Sequence, residues 1–518
     1  MMGRCAILAL VITLLTFVTK AGAEEAACVE PDESIALQTI QTNHISIALN
    51  RTSTKPFVNS DSAMLEGFII MMEAVAIMVF GIIVAVGTTT ACTWKTVWEL
   101  FDPTSSLRQI VPCILQQGGG GHDKLVVLDG VRALALLWVL AYHNKVYVHP
   151  DSVVAQRGYL GVDAFFVLSG LLIAKGYCRH DATHGPESAK AFMHRYAAFM
   201  VRRVFRIWPV VMLAVLIRCL GSPLDRETLG VFSSWRYVSL FPSPWHMASA
   251  SNPKDGLSQL WSVGVEMHMY CLTPLLCEAV YSRSHGKRHS HAFLMLGFAS
   301  ALCVALRIYI IIMNGSDDTL YYTPFARMSP YISGLAVCLA LDDWKDSQTA
   351  IPCTKGTRIL NIFADLAAIA TLLLSDGHKF VWGRHQLHSV YINGGMAGPA
   401  FGWALARCIF RVITADRGVG MWCALQPWVL VQTVFGAKAW GGIALLSYGA
   451  YVLQWFAHAG AGLRAVNAHL HLSYVESYGL WVSMCLLWAL PCHFLVESPA
   501  IRLGRKVEAA MLNPAHKS

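Results

Sequence analysis

Residues 128–143 read LDGVRALALLWVLAYH, an apolar run entered past one acid and one arginine and closed by a histidine. The run is one of a series of apolar stretches of roughly 17 to 25 residues, the length a helix needs to cross a hydrocarbon core. They begin near positions 65, 130, 158, 204, 260, 292, 328, 359, 388, 440 and 474. The whole chain of 518 residues is 55% hydrophobic and only 14% charged, with a mean hydropathy of +0.47. Those values exclude an ordinary soluble globule and make the bilayer the expected solvent. A single soluble core stops growing well below this length, whereas helices laid side by side in a membrane can use the whole chain. The predicted fold is therefore all-α: a polytopic membrane helical bundle of about ten core transmembrane helices plus one N-terminal helix.

Outward from residues 128–143, the order of segments follows from charge and composition. Arg4 precedes an apolar run from Ala6 to Val18, and Ala21-Gly22-Ala23 then supplies a small-x-small cleavage pattern, so residues 1–23 read as a signal peptide. An uncleaved signal anchor is the alternative; it would leave one extra span and keep the next segment on the same side. Residues 24–63 are polar and carry the sequon Asn50-Arg51-Thr52, as a short extracytoplasmic segment would. A first transmembrane helix at 64–87 and a cytosolic linker at 88–127 follow. Within the linker the glycine-rich stretch Gln116–Gly121 marks the domain boundary. The main transmembrane domain then runs over 128–500 and a cytosolic tail over 501–518. Lysine and arginine gather in the alternate loops that this threading places inside, among them Arg179, Arg283, Lys355 and Arg417. A second sequon, Asn314-Gly315-Ser316, falls in an outside loop on the same count. The protein is thus expected to be a glycoprotein of the endoplasmic reticulum or the plasma membrane. Its formal charge of +8 is scattered rather than gathered into a patch, which speaks for topology signals and against nucleic acid. Fifteen cysteines include no CxxC pair, and those in apolar runs, such as Cys271, Cys338 and Cys485, read as small hydrophobes, with no metal site implied.

Ionisable groups inside apolar spans are costly, so each is a candidate functional group. His143 follows Arg132 by eleven residues, which at about 100° per residue returns to nearly the same helix face, about 16 Å further along the axis. Arg132 then sits near the cytosolic end, suited to an anionic phosphate, while His143 lies deeper as a general base or as a packed histidine. Asp163 enters the next span from outside, where it could orient His143 or cap a neighbouring helix. Ser169-Gly170 suits a close helix contact. Arg202, Arg203 and Arg206 precede Pro209 at the cytosolic start of a span, as a phosphate clamp or as ordinary positive-inside residues. Glu266 reaches about the depth of His143 and makes a polar stripe with Tyr270. Arg327, and Ser447, Tyr451 and Gln454 on one face of a late span, are weaker candidates. Glu497 with Pro499 reads as a helix end.

Six blocks, LDGVRALALLWVLAYH, GYLGVDAFFVLSGLLIA, RRVFRIWP, LWSVGVEMHMY, LSYGAYVLQW and FLVESP, stand in an order and in span positions that resemble the acyltransferase 3 family over about residues 125 to 500. That family includes bacterial sugar O-acetyltransferases and the animal nose-resistant-to-fluoxetine proteins. The resemblance implies a bundle that takes an acyl group from a cytosolic donor, usually a coenzyme A thioester, and passes it to a hydroxyl or amine. Carried over by motif, Arg132 and His143 match the family's arginine and histidine, Arg203 and Arg206 its basic helix start, and Glu266 its glutamate. Two positions depart from the pattern. Gln454 stands where a histidine is frequent, and Met267 follows Glu266 where a second acid is familiar.

Two functions are compatible with these residues, besides the minor alternative, which the departures at Gln454 and Met267 keep open, of a degenerate, non-catalytic family member. In the first, Arg132, Arg203 and Arg206 bind an acyl-CoA donor substrate, no cofactor being held. His143, oriented by Asp163 or Glu266, then deprotonates a lipid, glycan or small-molecule acceptor or itself carries the acyl group. In the second, the same charges line the path of a lipid or small-molecule transporter and no bond is made.

Overall fold

The computed structural model describes residues 99–102, 126–143, 152–178, 188–220, 257–281, 290–313, 323–347, 355–374, 387–415, 427–459 and 471–512. The expected signal peptide, the short extracytoplasmic segment, the first span at 64–87, the glycine-rich stretch and both sequons lie outside these residues, as does most of the linker.

The described residues are all helical, without strands. In chain order the helices are α1 (Val126–His143), α2 (Leu160–Cys178), α3 (Ala189–Leu220), α4 (Trp261–Tyr281), α5 (Ser290–Ile312), α6 (Met328–Ser347), α7 (Lys355–Leu374), α8 (Leu387–Ile413), α9 (Pro427–Phe435), α10 (Ala439–Ala459), α11 (Tyr474–Cys492) and α12 (Ser498–Leu512). Among the described residues five helical stretches are each long and apolar enough to cross a membrane, and a sixth forms if α9 and α10, bent by 63° at their break, count as one broken span. The chain is a multi-pass membrane protein, but this number is smaller than the expected ten core spans. The difference has a physical source: α3, α4, α6 and α7 occupy expected places yet carry Arg202, Arg203, Arg206, Glu266, Asp342, Asp343 and Asp365 within them.

The centre of the bundle is the contact of α2 with α6, which leans on small residues. A Cβ on Gly170 would lie 2.1 Å from the Tyr331 carbonyl oxygen, and one on Gly334 would lie 2.1 Å from that of Val167. Neither can be accommodated, so the two glycines let the backbones touch, as bilayer packing favours. Around this pair α1, α8 and α5 pack from one side and α4 from another, while α10 joins α1 to α11.

The helix end expected at Glu497 is absent. Residues His493–Glu497 form a π-helical stretch through which α11 runs on into α12. Pro491 and Pro499 bracket it, and the wider turn, in which the Ser498 amide reaches back to the His493 carbonyl, accommodates their missing donors. Glu497 is buried and accepts a 2.8 Å contact from His493 Nδ1 rather than capping a cytosolic terminus. Beyond it, α12 is anchored to residues 99–102: Arg502 Nη1 donates to the carbonyls of Glu99, Leu100 and Asp102, and Lys506 pairs with Glu99 at 2.9 Å.

Candidate functional site

A cavity of about 340 Å³ opens between α1, α2, α3, α4 and α10. Arg132, Arg202, Arg203 and Arg206 line it together with Glu266, so four cations face one carboxylate. Each is fixed by its helix. Arg203 lies between two rings, its guanidinium carbon 5.0 Å from the Phe199 centroid and 5.5 Å from that of Tyr270; such stacking holds the planar group without neutralising it. Arg202 is drawn towards Glu508 at 3.4 Å. Arg132 is attracted by Glu266 and Asp129 and opposed by Arg206.

Glu266 is held by two hydroxyls. Ser169 Oγ donates to its Oε1 at 2.6 Å, and the Tyr270 hydroxyl donates to the same oxygen. The stripe expected from the spacing of Glu266 and Tyr270 is thus a hydrogen bond. Ser169 does more than allow a close helix contact, which Gly170 provides. On the α10 side, Ser447, Tyr448 and Tyr451 complete the wall. The Tyr451 hydroxyl lies 2.7 Å from Ser262 Oγ and donates to the Gln259 carbonyl, while Tyr448 donates to the Ile207 carbonyl.

His143 does not line this cavity. It ends α1 and faces Gln454, which lies one turn beyond Tyr451 on α10 and whose Oε1 is 2.9 Å from the histidine Nδ1. Gln454 Nε2 donates to the Tyr451 carbonyl at 2.9 Å, which fixes the amide with its oxygen towards the imidazole. An amide oxygen only accepts, so Nδ1 carries the proton and Nε2 presents its lone pair. Tyr142 and Trp455 flank the ring, with centroids 5.6 and 5.5 Å away.

The expectation that Asp163 or Glu266 orients His143 is corrected by these contacts: among the described residues neither carboxylate hydrogen-bonds the histidine. Asp163 precedes Ser169 by six residues, about 240° around α2, so Ser169 faces the cavity and Asp163 another side. There Asp163, fully buried, pairs with Arg327 at 3.4 Å. Arg307 joins them: a Cβ on Gly398 would find Asp163 Oδ2, Arg327 Nη1 and Arg307 Nη2 all between 3.6 and 3.9 Å away. The carboxylate therefore ties α2 to α5 and to the turn before α6, beneath α8. Of the six residues singled out for donor binding or chemistry, the fold brings Arg132, Arg203, Arg206 and Glu266 together; His143 stands beside them and Asp163 apart.

Sequence reasoning missed Arg307, Tyr448 and the Ser169 hydrogen bond. Arg307 had a visible signal, a lone cation inside the apolar α5. The other two depend on which helices become neighbours.

The protein is thus a multi-pass helical membrane protein with an arginine-lined cavity and, beside it, a histidine whose tautomer is set by Gln454. Residues 125–496, more than half of the chain, match the family described as an acyltransferase domain, and the chain belongs to this acyltransferase 3 family. It is 25% identical over 260 residues to the peptidoglycan O-acetyltransferase OatA of Listeria monocytogenes, covering 48% of this chain and 39% of that protein. It is 28% identical over 243 residues to a candidate peptidoglycan O-acetyltransferase of Bacillus subtilis, covering 45% and 36%, respectively. A candidate O-acetyltransferase of Staphylococcus aureus is 26% identical over 232 residues, covering 42% and 35%. The chain thus spans between 35 and 39% of the length of these relatives. No solved structure matches it.

Proposed function

We propose that this chain is a membrane acyltransferase that moves an acyl group from a cytosolic acyl-CoA donor to a hydroxyl or amine of a lipid, glycan or small-molecule acceptor, in the endoplasmic reticulum or plasma membrane. The observation that carries the proposal is the cavity in which Arg132, Arg203 and Arg206 converge around Glu266, next to a histidine whose Nδ1 proton is fixed by Gln454. Family membership and the names of the relatives support acyl transfer as the chemistry.

On this reading the arginines hold the donor's phosphates through charge-assisted hydrogen bonds. The thioester arm extends along α1 over the roughly 16 Å that separate Arg132 from His143. His143 Nε2 accepts the acceptor's proton as its oxygen or nitrogen attacks the thioester carbonyl, and the departing thiolate takes that proton back. If Nε2 instead attacks the carbonyl, the thiolate departs and an acyl-imidazolium forms; the acceptor then attacks the acyl carbonyl, Nε2 leaves, and the acceptor's proton passes to the thiolate. Glu266, held by Ser169 and Tyr270, balances the arginines and keeps Arg132 directed into the cavity. Asp163 is assigned a structural role in its buried cluster.

The test is transfer of label from labelled acetyl-coenzyme A by the purified protein supplied with a membrane lipid and glycan extract, alongside His143→Ala. A labelled product from wild type and none from the equally folded variant supports the reading, and its mass identifies the acceptor. Failure of coenzyme A to bind or turn over across several acyl lengths sinks the donor assignment and leaves a transport role ahead.

A further inference from the structure

Helix α12 lies beyond the residues that match the family and contributes nothing to the cavity lining. It nevertheless packs along the arginine-bearing half of α3. Gly504 fits against Phe205, where a Cβ would approach the Phe205 Cβ to 2.6 Å, and Glu508 pairs with Arg202 at 3.4 Å. This docking brings Arg505, exposed on α12, into the electrostatic field of Arg202 and Arg206, both of which line the cavity. Arg505 forms no ion pair among the described residues, and the acid within its field, Glu508, is engaged by Arg202. Arg202, which lines the cavity, and Arg505, three residues before Glu508 on α12, thus share one seam between α3 and α12 in which the Glu508 carboxylate is paired with Arg202. Like charges held together repel unless a counter-charge joins them, and forked guanidinium donors suit phosphate oxygens.

We propose that Arg505 is a binding residue for the outermost phosphate of the donor, the ribose 3′-phosphate of a coenzyme A thioester, with the diphosphate held deeper by Arg203 and Arg206. The inference rests on the acyl-CoA reading above. The order of contacts follows from depth: Arg203 is stacked between two rings inside the cavity, whereas Arg505 is exposed on α12, outside the lining and against the α3 turn that carries Arg202 and Arg206. The acyl end has to lie nearest His143, so the nucleotide end is left at the rim. Helix α12 thereby adds to the donor site a contact from outside the matched domain.

The test is equilibrium binding of coenzyme A, and of coenzyme A lacking its 3′-phosphate, to full-length wild type, Arg505→Ala and Arg505→Lys in lipid nanodiscs. Because Arg505 is exposed, both variants are expected to unfold at the wild-type temperature, which is measured in parallel. Arg505→Ala is expected to bind coenzyme A about fivefold more weakly at low salt, the upper range for an exposed ion pair. The difference should shrink as salt is raised. Arg505→Lys should recover most of the affinity, and the ligand without the 3′-phosphate should bind all three proteins alike. Equal binding of coenzyme A to wild type and Arg505→Ala overturns the inference and leaves the donor reading intact, and an equal loss for both ligands overturns the assignment to the 3′-phosphate. Wild type that binds neither ligand overturns the donor reading and this inference with it.

Discussion

Replacing Gln454 by Leu isolates the hydrogen bond that sets the state of His143. Gln454 is fully buried and spends both ends of its amide, the oxygen on His143 Nδ1 and the nitrogen on the Tyr451 carbonyl, each at 2.9 Å. Leucine has a similar volume and fills the space, so packing changes little; what is lost is the acceptor for the imidazole proton. A buried donor left without a partner costs about 1–3 kcal/mol, and the ring becomes free to place its proton on Nε2, where no base remains. Since every 1.4 kcal/mol is a factor of ten, kcat for acyl transfer should fall roughly 5- to 100-fold. Coenzyme A affinity should stay within a factor of two, because no arginine is touched. The assay is label transfer at saturating donor, run also in the His143→Ala background, where Gln454→Leu should cost nothing more. Gln454→His, the residue frequent at this position in the family, keeps a ring nitrogen able to accept from Nδ1 and should restore part of the rate. Wild-type turnover by Gln454→Leu would refute the reasoning, and so would the same loss with and without His143.

Three other substitutions probe the frame around the cavity. Gly334→Leu forces a side chain into the Val167 carbonyl 2.1 Å away, so it should separate α2 from α6 and lower stability by about 1–3 kcal/mol or more, seen as a reduced unfolding temperature and less monodisperse protein. Asp163→Ala leaves Arg327 and Arg307 buried without their carboxylate and should destabilise by about 3–5 kcal/mol; the turnover per folded molecule of whatever survives should match wild type, as a catalytic role would not allow. Arg502→Ala removes the donor to three carbonyls at residues 99–102, and should speed proteolytic cleavage near residue 102 while leaving the unfolding of the membrane bundle unchanged.

What the sequence made legible was everything that depends on one helix at a time. Arg132 and His143 share a face because eleven residues bring a helix round, and Glu266 meets Tyr270 because four residues do; both follow from helical geometry before any packing is known. Apolarity gave away Arg132 and Glu266 for the same reason, since a charge in an apolar run stands out against the cost of burying it; Arg307 in α5 carried the same signal and was missed. Partner choice was not legible. Asp163 and Glu266 were both plausible mates for His143, but the depth read for Glu266 was off, since it meets Ser169 at the level of Arg132, about three turns of α1 from His143, and the rotation of α2 about its axis turns Asp163 away. That rotation is set by contacts such as Gly170 on Tyr331 and Gly334 on Val167, which belong to pairs of helices.

The departure at position 454 shows why the distinction matters for chemistry. Judged as a missing histidine, Gln454 weakens the case for activity; placed in the bundle, its amide accepts from Nδ1 and leaves Nε2 with the lone pair that the proposed acyl transfer would use as its base. A polar residue can change there without loss provided it still accepts a hydrogen bond at that point, a condition visible only in three dimensions. Arg505 illustrates the opposite limit. Outside the apolar spans a charge costs little, so one more arginine in a basic tail carries no signal of its own. Only the seating of Gly504 on Phe205, which turns α12 towards α3, brings that charge alongside the arginine-bearing turn of α3.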